Sequence, residues 1–239
     1  MADIITFKID GIKCMARAGQ TIFEAAKENG VYIPTLCNYP GAKPVGSCRI
    51  CTVNVNKRPL TACTTPVAEG MEIENETAEL TDHRKMVIEL LFVEGNHFCP
   101  SCEKSGECEL QALAYKYRIF APRFPFQFNE REIDASHPKI IHDQNRCVLC
   151  KRCVRLVEDE KGRKAFTFKK RGHGVRVVLD RQLGEAMTDE MAEYAMEICP
   201  VGSILVKEKG FIKPIGLRKF DLEEMGTENT NHAKTSNHG

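Results

Sequence analysis

The chain has 239 residues, 42% hydrophobic and 28% charged, the composition of an ordinary globular protein large enough for one to three domains. Its 34 Lys and Arg against 33 Asp and Glu leave a formal net charge of +1, which excludes a whole-molecule bias toward nucleic acid or an anionic membrane surface. No run of eighteen apolar residues is present to span a bilayer, and Met1 to Gly11 lacks the basic start and apolar stretch of a secretory signal.

Alternation over Ile4–Ile9 and Ile12–Arg17 around Asp10-Gly11 predicts a β-hairpin. Thr21-Ile-Phe-Glu24 is a capping box and Gly30 a stop, so Thr21 to Asn29 should be a short helix. Cys37 to Cys51 is Gly- and Pro-rich and reads as a loop, Cys51 to Val55 as a strand, and Lys57-Arg-Pro59 as a turn. Asp82 to Glu94 carries a helical stripe stopped by Gly95, and Glu107 to Tyr117 reads as a second helix. Phe120 to Pro138, with four Phe and three Pro, is expected to be an extended connection packed on a neighbour. Ile140 to Val206 forms a further unit, and Asp221 to Gly239 is polar enough to be expected without fixed structure unless a partner holds it.

Twelve cysteines without an export signal point to a reducing compartment, where thiols serve as metal ligands or catalytic groups rather than in disulfides. The first group, Cys37, Cys48, Cys51 and Cys63, has the spacing C-x10-C-x2-C-x11-C. It keeps the tight C-x2-C pair and distant fourth cysteine of plant-type [2Fe–2S] ferredoxins and widens the first gap. Gly41, Pro44 and Gly46 let the loop turn backbone N–H groups toward sulfur. Four thiolates also suit tetrahedral zinc, although zinc ribbons generally supply two C-x2-C pairs.

The second group lies within Asn96-His-Phe-Cys-Pro-Ser-Cys-Glu-Lys-Ser-Gly-Glu-Cys108. Cys99, Cys102 and Cys108 supply three corners of a [4Fe–4S] cubane, and His97 is the nearest donor for the fourth. A neutral imidazole in place of a thiolate should raise the reduction potential, as it does in Rieske centres. The alternative for His97 is a surface histidine beside a three-cysteine site.

The third group is the most specific. Cys147-Val-Leu-Cys150-Lys-Arg-Cys153 is the C-x2-C-x2-C run of bacterial ferredoxins, and Cys199-Pro200 is the remote Cys-Pro. A second cluster would need cysteine at Val157, Asp189, Ala192 and Ala195, and none is there. One complete [4Fe–4S] ligand set therefore remains in a doubled ferredoxin pattern. Lys151, Arg152 and Arg155 are expected to balance its negative charge. These groups use eleven of the twelve cysteines; Cys14 reads as a small buried apolar residue in a strand.

In this order the motifs resemble the N-terminal part of the large iron–sulfur subunit of respiratory complex I and of some iron-only hydrogenases. They are most similar to the small iron–sulfur subunit of the diaphorase module in NAD-reducing (bidirectional) [NiFe]-hydrogenases. Gly95 to Gly106, Cys199 to Gly210 and the total length, short of the further domain of complex I subunits, carry the likeness, which spans residues 1–220. In the complex I relatives the histidine stands four residues before its first cysteine; here it stands two before, so the loop must take another path. The resemblance implies an α+β fold: a β-grasp [2Fe–2S] unit over residues 1–80, a small helical one-His/three-Cys [4Fe–4S] unit over 81–119, a connector over 120–138, a bacterial-ferredoxin-like [4Fe–4S] unit over 139–210 and a tail over 211–239. It implies one [2Fe–2S] and two [4Fe–4S] clusters and a cytoplasmic complex. Its partners would be an FMN- and NAD-binding diaphorase subunit and the small and large [NiFe]-hydrogenase subunits.

A relay of this kind needs no substrate site, and the residues suggest none. No Walker loop and no G-x-G-x-x-G after a predicted strand is present; Gly172-His-Gly174 reads as a turn. Glu158 and Glu160 read as a solvated helix face. The basic and aromatic stretch Lys161 to Arg176 reads as a solvated hairpin rather than a nucleic-acid site. The expected role is a non-catalytic electron-transfer subunit of an oxidoreductase complex, with no nucleic acid and no membrane span. The corresponding subunit of an NAD-linked formate dehydrogenase or quinone oxidoreductase fits the same motifs. A zinc-binding nucleic-acid module is the alternative of another class.

Overall fold

The structure, a computed structural model, describes residues 4–227. The hairpin forms as expected: β1 (Ile4–Ile9) pairs antiparallel with β2 (Ile12–Arg17), and Asp10 and Gly11 both take positive φ in the turn. The α1 helix (Ile22–Glu28) starts at Thr21, whose side chain and that of Glu24 complete the capping box. β3 (Thr52–Val55) turns at Asn56-Lys57, both at positive φ, into β4 (Arg58–Thr61). Arg58 and Pro59 are thus strand rather than turn; β4 is an edge strand, where proline's missing N–H costs no ladder bond. β5 (Glu72–Glu74), which no sequence pattern announces, lies parallel to β1 and antiparallel to β3. The sheet order β2-β1-β5-β3-β4, with α1 packed against it, is a β-grasp arrangement. Phe7, Ile9, Cys14, Ile22, Val53 and Ile73 are buried in its core, so Cys14 is the small apolar residue expected.

The α2 helix (Ala78–Glu94) begins four residues earlier than expected, because Thr77 rather than a later residue caps it. Its Arg84 is fully buried without a carboxylate partner. The guanidinium donates to the carbonyls of Ile50, Thr52 and Asn75 and to Asn75 Oδ1, at 2.7–3.3 Å. Burying an isolated cation costs several kcal/mol; four charge-assisted bonds of roughly 1.5–3 kcal/mol each offset that cost and clamp α2 to the sheet. α3 (Glu109–Lys116) packs on α2.

The connection after α3 has little regular structure until β6 (Ile133–Asp134). Arg123 anchors it to α2 through Glu89 and Asp82, while Phe120, Phe126 and Phe128 stay exposed. β7 (Ile140–Asp143) is the middle strand of a sheet ordered β10-β7-β6. Then come α4 (Arg152–Leu156), the hairpin β8 (Phe166–Lys169) and β9 (Arg176–Leu179), α5 (Arg181–Glu185), α6 (Asp189–Ile198) and β10 (Ile204–Val206). Gly172–Gly174 forms the turn of the hairpin, and Lys169, Lys170 and Arg171 around it are exposed. Glu158 and Glu160 lie beyond the end of α4 rather than on it, and Glu158 pairs with Lys164. Ala192 and Ala195, where a second ferredoxin cluster would take cysteines, are fully buried in the core, as is Val157.

The chain then returns across the molecule. A short α7 (Lys219–Leu222) follows Arg218, which pairs with Asp221 and donates to the Ser105 carbonyl, and Met225 is buried in the main core. Residues 219–222 are helical and Met225 and Gly226 are buried, although 221–224 are exposed, so the start of the expected unstructured tail takes fixed structure; 228–239 lie outside the described residues. Leu36 and Ile50, from the cysteine loop of the β-grasp unit, belong to this main core. No helix among the described residues is long and apolar enough to cross a membrane.

Candidate iron–sulfur sites

The loop between α1 and β3 gathers the first four cysteines. Cys37, Cys51 and Cys63 are buried and Cys48 is partly exposed. Hydrogen bonds with Cys48 and Cys63 pull the Cys37 thiol down, and the reciprocal bonds push Cys48 and Cys63 up. A bond with Cys63 pulls Cys51 down. The four sulfurs are thus one connected set. Gly46 takes φ +62°, and a Cβ there would stand 3.3 Å from Thr64 Cγ2, so the loop needs glycine at this point.

The second site is a small cavity lined by Phe92, His97, Cys99, Cys102, Cys108 and Arg146, among others. His97 Nε2 is buried there with no hydrogen-bond partner. Burial, then the Arg146 charge, hold the imidazole down at about 4, hence neutral at physiological pH. A neutral imidazole nitrogen, buried and unpartnered beside three thiols, is the donor an iron ligand requires. Phe92 meets the ring edge-on with 5.4 Å between centroids. Burial pushes the Cys99 and Cys102 thiols up and the Cys108 thiol up to about 12. Cys108 also caps α3, its sulfur accepting from the Gln111 amide at 3.5 Å.

In the third site the run of cysteines leads into α4, and α6 ends at Cys199. Burial raises Cys147 to about 11, Cys150 to about 12 and Cys153 well above its ordinary value, and Cys199 adds to each shift. The four are close enough to feel one another's charge. Leu149 and Lys151 adopt positive φ, which folds the run back on itself. Among the described residues no three or more His, Cys, Asp or Glu side chains close on a point as a single metal ion would require.

Several residues that the cysteine motifs do not announce hold these sites. Arg146, next to Cys147 in the chain, turns to the second site: it donates to Cys102 Sγ at 3.5 Å and to the Gly202 carbonyl at 3.4 Å, and pairs with Asp143 at 3.1 Å. Gly202 approaches so closely that a Cβ would overlap Cys102 Sγ. Lys104 is buried and donates to the Met196 carbonyl at 2.7 Å, near the C-terminal end of α6 where a cation is favoured. The Glu109 amide donates to the Pro200 carbonyl at 2.8 Å. None of these long-range contacts has a local signature; only the position of Gly202 just past Cys199-Pro200 marks it. The expected counter-charges also make specific contacts. Arg152 is paired with Glu109 and its charge is felt by Cys150, and Arg155 donates to the carbonyls of Cys37, at 2.7 Å, and Lys43. Arg155 thus ties α4 to the loop of the first site.

Comparison with known proteins follows the same order along the chain. Residues 2–78 match the 2Fe-2S iron-sulfur cluster binding domain, 84–123 the NADH-ubiquinone oxidoreductase-G iron-sulfur binding region, and 137–205 the ferredoxin-like domain of NADH-quinone oxidoreductase subunit 3. The gamma subunit of the NAD-reducing hydrogenase HoxS of Cupriavidus necator is 44% identical over 222 residues, 92% of this chain and 95% of that protein. An NADH-quinone oxidoreductase subunit of Rickettsia felis is 31% identical over 98% of this chain, which covers 34% of that longer protein. A crystal structure of an NAD+-reducing [NiFe]-hydrogenase in the H2-reduced state contains a chain that superposes with a TM-score of 0.84 at 42% identity, covering 91% of this chain and 93% of that one. With its three iron–sulfur domains in this order and a relative matched almost end to end, the chain belongs to the family of the gamma subunit of NAD-reducing hydrogenase.

Proposed function

We propose that this chain relays electrons between a [NiFe]-hydrogenase module and an FMN-containing, NAD-reactive diaphorase subunit. It would serve the reaction H2 + NAD+ = NADH + H+ as a subunit without a catalytic site of its own. One [2Fe–2S] cluster is held by Cys37, Cys48, Cys51 and Cys63. One [4Fe–4S] cluster is held by His97, Cys99, Cys102 and Cys108, and another by Cys147, Cys150, Cys153 and Cys199. The corresponding units are residues 1–80, 81–119 and 139–210, with a connector over 120–138 and a terminal segment over 211–239. The complex is soluble and cytoplasmic. When bound, the clusters accept and pass single electrons; the protein holds them in order, excludes water and sets their electrostatics.

One observation carries this reading: the buried, unpartnered His97 Nε2 shares a cavity with Cys99, Cys102 and Cys108. It is the donor that completes a cubane set which cysteine alone leaves short. The exposed Phe120, Phe126 and Phe128 of the connector support a face turned to a partner subunit. Anaerobic purification through a tag on this chain, with identification of the co-purifying subunits, tests the reading. Recovery of hydrogenase and flavin subunits, with hydrogen-dependent NAD reduction, is the expected result. Recovery of formate dehydrogenase or quinone-reducing subunits in their place would overturn it.

A further inference from the structure

We propose that Arg152 is a positioning residue that fixes the three cluster sites relative to one another. This rests on the assignment of the three sites above and goes beyond it. Arg152 immediately precedes Cys153 of the third site and is 2% exposed. Its two terminal nitrogens grip Glu109 in a double ion pair, at 2.6 Å to each oxygen. Glu109 follows Cys108 of the second site. One of the same nitrogens donates at 3.2 Å to the carbonyl of Ile198, the residue before Cys199. The guanidinium also lies 5.1 Å from the ring centroid of Tyr39, two residues after Cys37 of the first site. One buried cation therefore touches a near neighbour of a ligand from each of the three sets.

Stability alone is a weak explanation for this arrangement. A buried ion pair spends much of its Coulomb energy on desolvation, and apolar replacements are often neutral or better. What the pair supplies here is geometry. The guanidinium is a rigid planar fork with donors at fixed angles, and it stacks on an aromatic face. A lysine brings the same charge on one flexible point and cannot hold both Glu109 oxygens and the Ile198 carbonyl. Other contacts between the units join two of them at a time, such as Arg84 to the carbonyls of Ile50 and Thr52, Arg155 to the Cys37 carbonyl and Lys104 to the Met196 carbonyl. Only Arg152, among these, reaches all three.

The test uses the complex purified anaerobically with this chain carrying Arg152→Lys, Arg152→Met or Glu109→Gln. Iron and acid-labile sulfide per chain are measured with the EPR spectrum of the reduced complex and the rate of electron passage from hydrogen to NAD. The expected result for Arg152→Lys is full iron and sulfide, altered magnetic interaction between the reduced clusters, and slower passage. Electron passage between centres weakens as they move apart, so a severalfold loss in rate is expected. A residue that acted through its charge alone would leave Arg152→Lys unchanged and shift only Arg152→Met. Arg152→Lys with full iron, unaltered magnetic interaction and unaltered rate overturns the proposal. If Arg152→Met fails to assemble, Arg152→Lys and Glu109→Gln still decide. Iron too low for three clusters in the unsubstituted complex would instead overturn the assignment beneath it, and this inference with it.

Discussion

At the scale of single residues, His97 and His142 show the same physics put to different ends. Both imidazoles are held down at about 4, chiefly by burial, so both are neutral at physiological pH. His97 leaves Nε2 without a partner in the second site. If His97 is a ligand of the proposed second cluster, replacing it by cysteine adds a negative charge there. His97→Cys is therefore expected to lower the second cluster's midpoint potential in an EPR-monitored redox titration; an unchanged potential would show that His97 is not a ligand. His142 sits instead between Gln144 Nε2, at 3.3 Å, and the edge of Phe166. Its folded pKa is depressed, so the unfolded chain binds more protons between about 4 and 6.5. The stability it confers is present above about pH 6.5 and is lost as pH falls toward 4, by about 3 kcal/mol at most. Denaturation curves of His142→Gln should lose part of this acid dependence; an identical acid limb would mean that other groups titrate there.

The same scale shows which site residues can be read from the sequence. Cys147, Cys150 and Cys153 are marked as candidate ligands by their local spacing, and Cys199 by the proline that follows it. His97, two residues before Cys99 rather than four, lines the same cavity as Cys99, Cys102 and Cys108, with Phe92 against its ring. Arg146 is not legible, because it stands beside one set of ligands and serves another. The sequence marks Arg152 as a counter-charge, but not its ion-pair partner Glu109, which lies 43 residues away.

At the scale of elements, local signals decide what can be foreseen. The hairpin at Asp10-Gly11 and the capping box of α1 are both written in adjacent residues. β5 is three residues long and exists because β1 and β3 flank it, so no periodicity could reveal it. The early start of α2 is a cap without a box: Thr77 accepts from the Leu80 amide, and position 80 carries no Glu or Gln to return the bond. α6 has a similar cap, Thr188 accepting from the Met191 amide at 3.2 Å, and it delivers Cys199 from its other end. Thr188→Ala is expected to cost about 1 kcal/mol, read as a lower denaturation midpoint of the cluster-loaded chain under argon. An unchanged midpoint would mean that the Met191 amide is satisfied without the threonine.

At the scale of the whole molecule, the three units share a buried core. Leu36 and Ile50 of the first unit are buried with Leu110 and Leu113 of α3 and with Ile198 of α6. Arg84 and Arg152, both buried, cross the boundaries between units, and α7 closes back over the Ser105 loop. The order of the units was legible, because each carries its own motif. Their mutual packing was not, because it depends on pairs far apart in sequence. Burial of the thiols also couples assembly to proton release: Cys108, Cys147 and Cys150 stand at about 11–12 and must lose protons to bind iron.

The measurement that bears most directly on the account is iron, zinc and acid-labile sulfide per chain in the anaerobically purified complex. One [2Fe–2S] and two [4Fe–4S] clusters predict about 10 iron atoms per chain with a matching amount of sulfide. Stoichiometric zinc with no sulfide would contradict it.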